Sequence, residues 1–249
     1  MQMAAGRNDC NALARSGGRH EIPPLQSEVP SPRTARMSTT AAPVATANVT
    51  PVFPLILLET MRDMDRPDEY LEGEDVAVSM PRRLGLSDVV GKQIHRFKEE
   101  VKRKRMQSPA TVADLIGLVI RRPDADEIFE EAGRRVARHA WGERSGAFRR
   151  TVRWLPQGAK QRSARKAATR LFRQLAGEGE LRVGIKPVSL TITASLTAQA
   201  DPGGAACAFY AGALSELVTE YTGRKHSTTH ARCEARGGAS CEWLTQVLA

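Results

Sequence analysis

Residues 230–241 read HARCEARGGASC, and this stretch near the carboxyl terminus indicates the architecture of the chain. It contains His230, Cys233 and Cys241, and a third cysteine, Cys207, lies upstream of it. Three thiolates and one imidazole complete the tetrahedral shell of a zinc ion and leave no position for a substrate or a water. The four residues therefore predict a structural Zn²⁺ site rather than a catalytic one.

The spacing within this stretch is typical of a β-hairpin. Cys233 and Cys241 lie symmetrically about Gly237, so that they would face each other across the turn. Cys207 would come from the start of the preceding helix, and the ion would tie that helix to the hairpin. His230 and Cys233 are three positions apart, which in a regular strand sends side chains to opposite faces. The site therefore requires a bulge near Ala231 or Arg232.

Two other interpretations of the cysteines stay open on the residues alone. Cys233 and Cys241 could form a cross-strand disulfide, but the amino terminus shows no secretory signal, and cytosolic chains rarely keep disulfides. All three cysteines could instead be buried thiols, which behave as small hydrophobic side chains.

Composition indicates a soluble, cytoplasmic protein with one main core. The chain has 249 residues, of which 41% are hydrophobic, and a formal net charge of +9. No apolar run approaches the roughly 20 residues of a membrane span, so we predict no transmembrane segment. The positive charge favours contact with polyanions without establishing it.

The chain divides into three predicted regions. Residues 1–50 are rich in Ala, Pro, Ser, Thr and Arg without an apolar period, which predicts a disordered tail. Residues 51–84 combine a short apolar patch with an acidic stretch, and we expect a linker or an arm over the main domain. Residues 85–249 form that domain.

Periodicity within the main domain changes from helical to alternating at Gly177. A first helix is predicted after Ser87, a second from a capping box at Thr111 and Asp114, and a third from Pro123. Further helical segments cover 149–155 and 164–176. Two strands then follow, with Leu181, Val183 and Ile185 on one face of the first and Leu190, Ile192, Ala194 and Leu196 on one face of the second. A helix through Tyr221 and the terminal hairpin complete an α+β fold, in which a helical amino-terminal half packs on an antiparallel sheet.

This order of elements resembles the 4-vinyl reductase domain family, whose fold is related to that of the TRAPP trafficking subunits. The resemblance covers roughly residues 85–249. Its most specific part is the set Cys207, His230, Cys233 and Cys241, which is similar in spacing to the zinc site of phenol-responsive sensor domains in this family. His230 stands where those domains have a glutamate. Weaker similarities are Ala132-Gly133 and the segment 209–212.

The resemblance implies a domain that encloses a hydrophobic small molecule, such as an aromatic compound or a chlorophyll precursor. The leading hypothesis is therefore a homodimeric ligand-binding sensor domain with a structural zinc ion. The sequence contains no GxGxxG fingerprint after a strand, no CxxC pair and no P-loop, so we predict no catalytic residues and favour a non-enzymatic role. One alternative is an accessory or reductase component of bacteriochlorophyll biosynthesis that handles a vinyl-bearing tetrapyrrole.

Large side chains on the helical stripes are candidates for the ligand pocket. Trp141 and Phe148 are the preferred pair, because each lies near a glycine that could break a helix and open space. The other pocket candidates are Phe129, Phe209 and Tyr210. A second alternative function is a basic adaptor that binds nucleic acid through residues 92–105, although a solvated helix face explains such charges more often.

Overall fold

The computed structural model of the protein describes residues 48–65, 88–175 and 179–248. The helical part consists of α1 (Val52–Met64), α2 (Asp88–Lys102), α3 (Pro109–Val119), α4 (Ala125–Gly142), α5 (Gly146–Trp154) and α6 (Gln157–Arg173). The carboxyl-terminal part follows as β1 (Leu181–Val183), β2 (Ser189–Ile192), α7 (Leu196–Ala200), a 3₁₀ turn (Ala205–Cys207), α8 (Ala208–Thr222), β3 (His226–Arg232), a second 3₁₀ turn (Glu234–Arg236) and β4 (Cys241–Val247).

The four strands form one antiparallel sheet in the order β1-β2-β4-β3. Its inner face carries Leu190 and Ile192 of β2, which pair with Trp243 and Cys241 of β4. All four of these side chains are buried, as the alternating pattern of a half-covered sheet requires. The α+β prediction is confirmed.

Helices α4 and α8 form the centre of the helical layer, and they approach each other at two glycines. A Cβ atom on Gly133 would lie 2.1 Å from the carbonyl oxygen of Phe209, and one on Gly212 would lie 2.0 Å from that of Glu130. Both distances are far below van der Waals contact, so each helix requires a glycine where its partner crosses. This explains the two short glycine-bearing segments that the sequence shows in α4 and α8.

Helix α1 contributes to the core, although it lies in the region where the sequence predicts a linker or an arm. Its side chains Phe53 and Leu57 are buried, and Phe53 contacts Phe209 of α8 edge to face at 4.6 Å between ring centroids. Two ion pairs join the carboxyl end of α1 to α4, one to a residue just before that helix and one to a residue within it. They are Asp65 with Arg122 at 2.6 Å and Asp63 with Arg135 at 2.7 Å.

Two element boundaries differ from the sequence predictions. Helix α3 is capped by Ser108, whose hydroxyl accepts the backbone N–H of Thr111, and not by a box beginning at Thr111. Ser108 precedes Pro109, and proline favours the first helical position because it has no N–H to satisfy. Helix α6 begins at Gln157, directly after Pro156, and so includes residues 157–163, which lie outside the predicted helical segments.

The predicted strands are also shorter than expected. Strand β1 ends at Val183 and excludes Ile185, and β2 ends at Ile192. Ala194 has a left-handed φ of 54°, and Leu196 begins α7 instead of continuing the strand. The carboxylate of Glu234 accepts the N–H groups of Ala194 and Ser195 at 2.7 and 3.0 Å, which replaces the strand hydrogen bonds at this corner.

Several predictions fall outside the described residues. These are the tail up to residue 47, the acidic residues within 66–75, the cap at Ser87 and the change of period at Gly177. No helix in the described ranges is long and apolar enough to cross a membrane.

Candidate metal site and helical cavity

Four side chains from three separate segments converge beside the sheet. Cys207 ends the 3₁₀ turn before α8, His230 lies near the end of β3, Cys233 follows β3 and Cys241 begins β4. Their potential ligand atoms all lie within 4.8 Å of one another. A tetrahedron with Zn–S bonds of about 2.3 Å has edges of about 3.8 Å, so closure on an ion requires contraction by about 1 Å at most.

The donor atoms have the burial and chemistry that a closed metal site needs. Cys207, Cys233 and Cys241 are buried free thiols. The Nε2 atom of His230 is buried and has no hydrogen-bond partner within the described part of the chain. An unsatisfied buried nitrogen costs free energy, and a metal bond would remove that cost. The cluster can therefore hold a metal ion.

The hairpin has the irregularity that the sequence predicts for these ligands. His230 pairs with Trp243 and Arg232 pairs with Glu242, so that Ala231 is the extra residue of a bulge. Gly237 adopts a left-handed φ of 87° after the second 3₁₀ turn. The bulge and the turn together allow His230 and Cys233 to reach the same side of the hairpin.

Asp201 and Glu234 hold the segments that carry the cysteines, and for Asp201 the sequence analysis predicts no such role. Asp201 is buried, and its carboxylate accepts the N–H groups of Gly203 at 2.9 Å and Ala206 at 2.7 Å, which fixes the turn before Cys207. Glu234 ties the hairpin to the corner at Ala194. The Asp-Pro-Gly-Gly sequence at 201–204 was the available signal, because Asp before such a turn often accepts backbone hydrogen bonds.

Gly204 lies against the site itself. A Cβ atom there would be 3.1 Å from the Sγ atom of Cys233, and the backbone has a left-handed φ of 82°. Glycine is the residue that meets both conditions at once. The approach of this turn to Cys233 thus depends on the absence of a side chain.

The pKa values of Cys207 and Cys241 shift in opposite directions. A hydrogen bond between the two sulfurs, together with burial, raises the pKa of Cys207. The same hydrogen bond lowers the pKa of Cys241, and the nearby His230 imidazole and the N–H of Glu234 at 3.3 Å lower it further. A thiolate at Cys241 is thus already favoured, and thiolates are the form of cysteine that binds metals.

The predicted pocket residues fall into two groups. Phe129, Phe209 and Tyr210 are at most 1% exposed and pack in the core, where Tyr210 contacts Trp243 at 4.9 Å between ring centroids. Trp141 and Phe148 lie near each other at 6.4 Å, and both contact Tyr221.

A cavity of about 460 Å³ opens on the other side of Tyr221. It lies among helices α4, α6 and α8, beside the start of α1 and the end of α2. None of the five candidate pocket residues is among the described side chains that line it. The lining residues include Val136, Leu171, Leu217 and Tyr221.

Comparisons with known proteins give one likeness. No family model matches the chain, and no curated protein matches it. Among solved structures it is similar to a vinyl-4-reductase family protein from Methanocaldococcus jannaschii, with 12% identity, a TM-score of 0.27, and coverage of 37% of this chain and 68% of that one. This is the family that the sequence resembles.

Proposed function

We propose that the protein is a small-molecule-binding sensor domain whose terminal hairpin is fixed by a structural zinc ion. The observation that supports the zinc ion most directly is the convergence of three buried thiols and the unpartnered His230 nitrogen within 4.8 Å. Soft thiolate ligands with one imidazole favour Zn²⁺ among the abundant divalent ions. Because all four positions are protein ligands, the ion would stabilise the fold and not activate water.

Metal analysis of the purified full-length chain tests whether the protein binds zinc. We expect about one zinc per chain in the wild type and strongly reduced zinc in Cys233→Ser. Cys10→Ser is the matched control, because Cys10 is the fourth cysteine of the sequence and is not one of the four proposed ligands; this variant should keep its zinc. If the wild-type protein, purified under reducing conditions, contained no bound zinc, the proposal would be overturned.

The helical cavity supports the proposal that the protein binds a small molecule. Ligand sites in proteins usually occupy about 300–1,000 Å³ and have mostly apolar walls, and this cavity fits that description. An uncharged aromatic fluorophore such as phenylnaphthylamine should bind to it. Ala140→Trp, which fills the cavity from α4, should abolish that binding, whereas Ala110→Trp at an exposed position of α3 should leave it unchanged. Failure of the wild type to bind uncharged aromatic compounds would contradict the ligand-binding proposal.

A second candidate function is binding of single-stranded nucleic acid. In the predicted segment 92–105, Lys98, Lys102 and Arg105 form ion pairs with glutamates. Residues 144–175 contain eight arginines, two lysines and no acidic residue. Within the described residues, none of these ten cations forms an ion pair with a carboxylate.

Trp154 gives this basic surface, residues 144–175, an aromatic side chain for base stacking. It is 89% exposed at the end of α5, between Arg153 and α6. Exposed aromatic rings among cations are typical of sites that bind single strands without sequence preference. A labelled oligothymidylate should bind at low salt and dissociate as salt rises. Trp154→Ala should weaken binding about tenfold, and Trp141→Phe, at a buried ring, should not; no binding at low salt would exclude this function.

A further inference from the structure

The mouth of the helical cavity differs in charge from its walls. Lys104, Arg144 and Arg170 line it from three separate segments, namely the end of α2, the α4–α5 connection and α6. None of the three forms an ion pair with a carboxylate in the described ranges. Among the described residues of the lining, Glu143 is the one acidic residue, and it is exposed beside Arg144. The mouth therefore carries an excess of positive charge.

The backbone at Lys104 is held in a conformation that disfavours a side chain. Its φ is 52°, in the left-handed region that residues other than glycine rarely adopt. Glycine is the usual residue after a helix end such as that of α2. Lys104 thus has an unfavourable backbone conformation at the cavity, and such backbone outliers often occur at binding sites.

Tyr221 is a buried side chain of the cavity lining. Its ring packs against Trp141 at 4.7 Å between centroids, and it is 3% exposed. Burial raises the pKa of Tyr221, so the phenol keeps its proton at neutral pH and can donate a hydrogen bond. Arg144 lies close enough to Tyr221 to interact with its hydroxyl.

We propose that the cavity binds an amphipathic anion, with an apolar or aromatic body against Val136, Leu171 and Leu217 and an acidic head between Lys104, Arg144 and Arg170. Guanidinium groups pair well with the planar oxygens of a carboxylate and with phosphate or sulfonate, and a partly buried site strengthens the pairing. This inference rests on the proposed ligand-binding function and specifies the ligand's charge.

A matched pair of fluorophores tests the charge requirement on the full-length protein. Anilinonaphthalene sulfonate and phenylnaphthylamine share the same aromatic body, and only the first carries a negative charge. We expect the wild type to bind the sulfonate about tenfold more tightly at low salt. Arg170→Gln and Lys104→Gln should each lower the ratio of sulfonate affinity to uncharged-probe affinity by a large part of this roughly tenfold preference. Arg121→Gln, at an exposed arginine outside the cavity, should change neither affinity.

The possible results separate this inference from the function on which it rests. Equal affinity for both probes, with no effect of Arg170→Gln, would overturn the anion preference and leave ligand binding in place. Absence of binding by either probe would contradict both. Sulfonate binding that survives the cavity-filling variant Ala140→Trp would assign it to the surface and would likewise overturn the inference.

Discussion

The imidazole of His230 stacks on the indole of Trp243, with ring centroids 4.7 Å apart and an interplanar angle of 8°. The two residues are directly paired across β3 and β4, and Trp243 is fully buried. Trp243 also contacts Tyr210, which contacts Phe209, and Phe209 contacts Phe53 of α1. A continuous series of aromatic rings therefore connects the candidate metal ligand with the helical core.

The stack should orient His230 toward the metal. We expect Trp243→Leu to weaken zinc retention about tenfold in competition with a chelator, a loss of the size seen when groups that orient metal ligands are removed. Trp243→Phe keeps an aromatic face and should retain most of the affinity. Trp154→Leu serves as the control, because Trp154 is 89% exposed. Unchanged zinc affinity in Trp243→Leu would mean that the stack is a packing contact only.

Removal of the metal should destabilise the domain. An ion that binds only the folded state stabilises it by about 4 kcal/mol when its free concentration is 1,000 times the Kd. Chelation should therefore lower the melting temperature of the wild type. Cys233→Ser should melt at a reduced temperature from the start and show little further change with chelator. A wild-type melting curve that is indifferent to the chelator would show that zinc does not hold the hairpin.

The candidate metal cluster could be predicted from the sequence because its chemistry depends on few residues, three of them within twelve positions. The spacing of His230 and Cys233 required a bulge, and the structure places that bulge at Ala231. The supporting contacts were less accessible, because Glu234 acts on Ala194, which is forty positions away. A glutamate beside a cysteine gives no local sign of such a distant partner.

The cavity could not be located from residue types. Large aromatic side chains fill cores as readily as they line pockets, and Phe129, Phe209 and Tyr210 are fully packed. The space instead depends on how α4, α6 and α8 diverge, a property of tertiary packing. The side chains that line it, such as Leu217 and Val136, look in the sequence like ordinary positions on an apolar helical stripe.

The crossing of α4 and α8 should be intolerant of even one methyl group. Gly133→Ala and Gly212→Ala each place a Cβ atom about 2 Å from a backbone oxygen of the other helix. We expect each to lower the free energy of unfolding by about 3 kcal/mol or to prevent folding, because backbone cannot move aside as a flexible side chain can. Gly117→Ala in α3 is the matched control, since nothing lies within 4 Å of its Cβ position.

The control Gly117→Ala should raise the free energy of unfolding instead of lowering it. Alanine in a helix interior without a clash stabilises by about 0.4–1 kcal/mol. Chemical denaturation of the three variants measures both effects. If Gly133→Ala and Gly117→Ala unfolded at the same denaturant concentration, the close approach of α4 and α8 would be disproved.

The ion pair between Asp63 and Arg135 should make the attachment of α1 depend on pH. Burial raises the pKa of Asp63, but hydrogen bonds and charges from Arg135 and Arg62 outweigh burial and hold it below its ordinary value of 3.8. The folded state thus favours the carboxylate. The resulting stabilisation is fully present above the unfolded pKa and is lost as the pH falls through the lower folded value.

Asp63→Asn should therefore cost about 0.5–1 kcal/mol at pH 7, a small value because both side chains are partly exposed. The difference from the wild type should disappear in acid, where Asp63 is protonated in both the folded and the unfolded state. Urea denaturation across this pH range measures the difference directly. Asp114→Asn, at an exposed position of α3, controls for the loss of one charge. A cost for Asp63→Asn that persisted unchanged at the acid end would show that it arises from packing at the end of α1 and not from the ion pair.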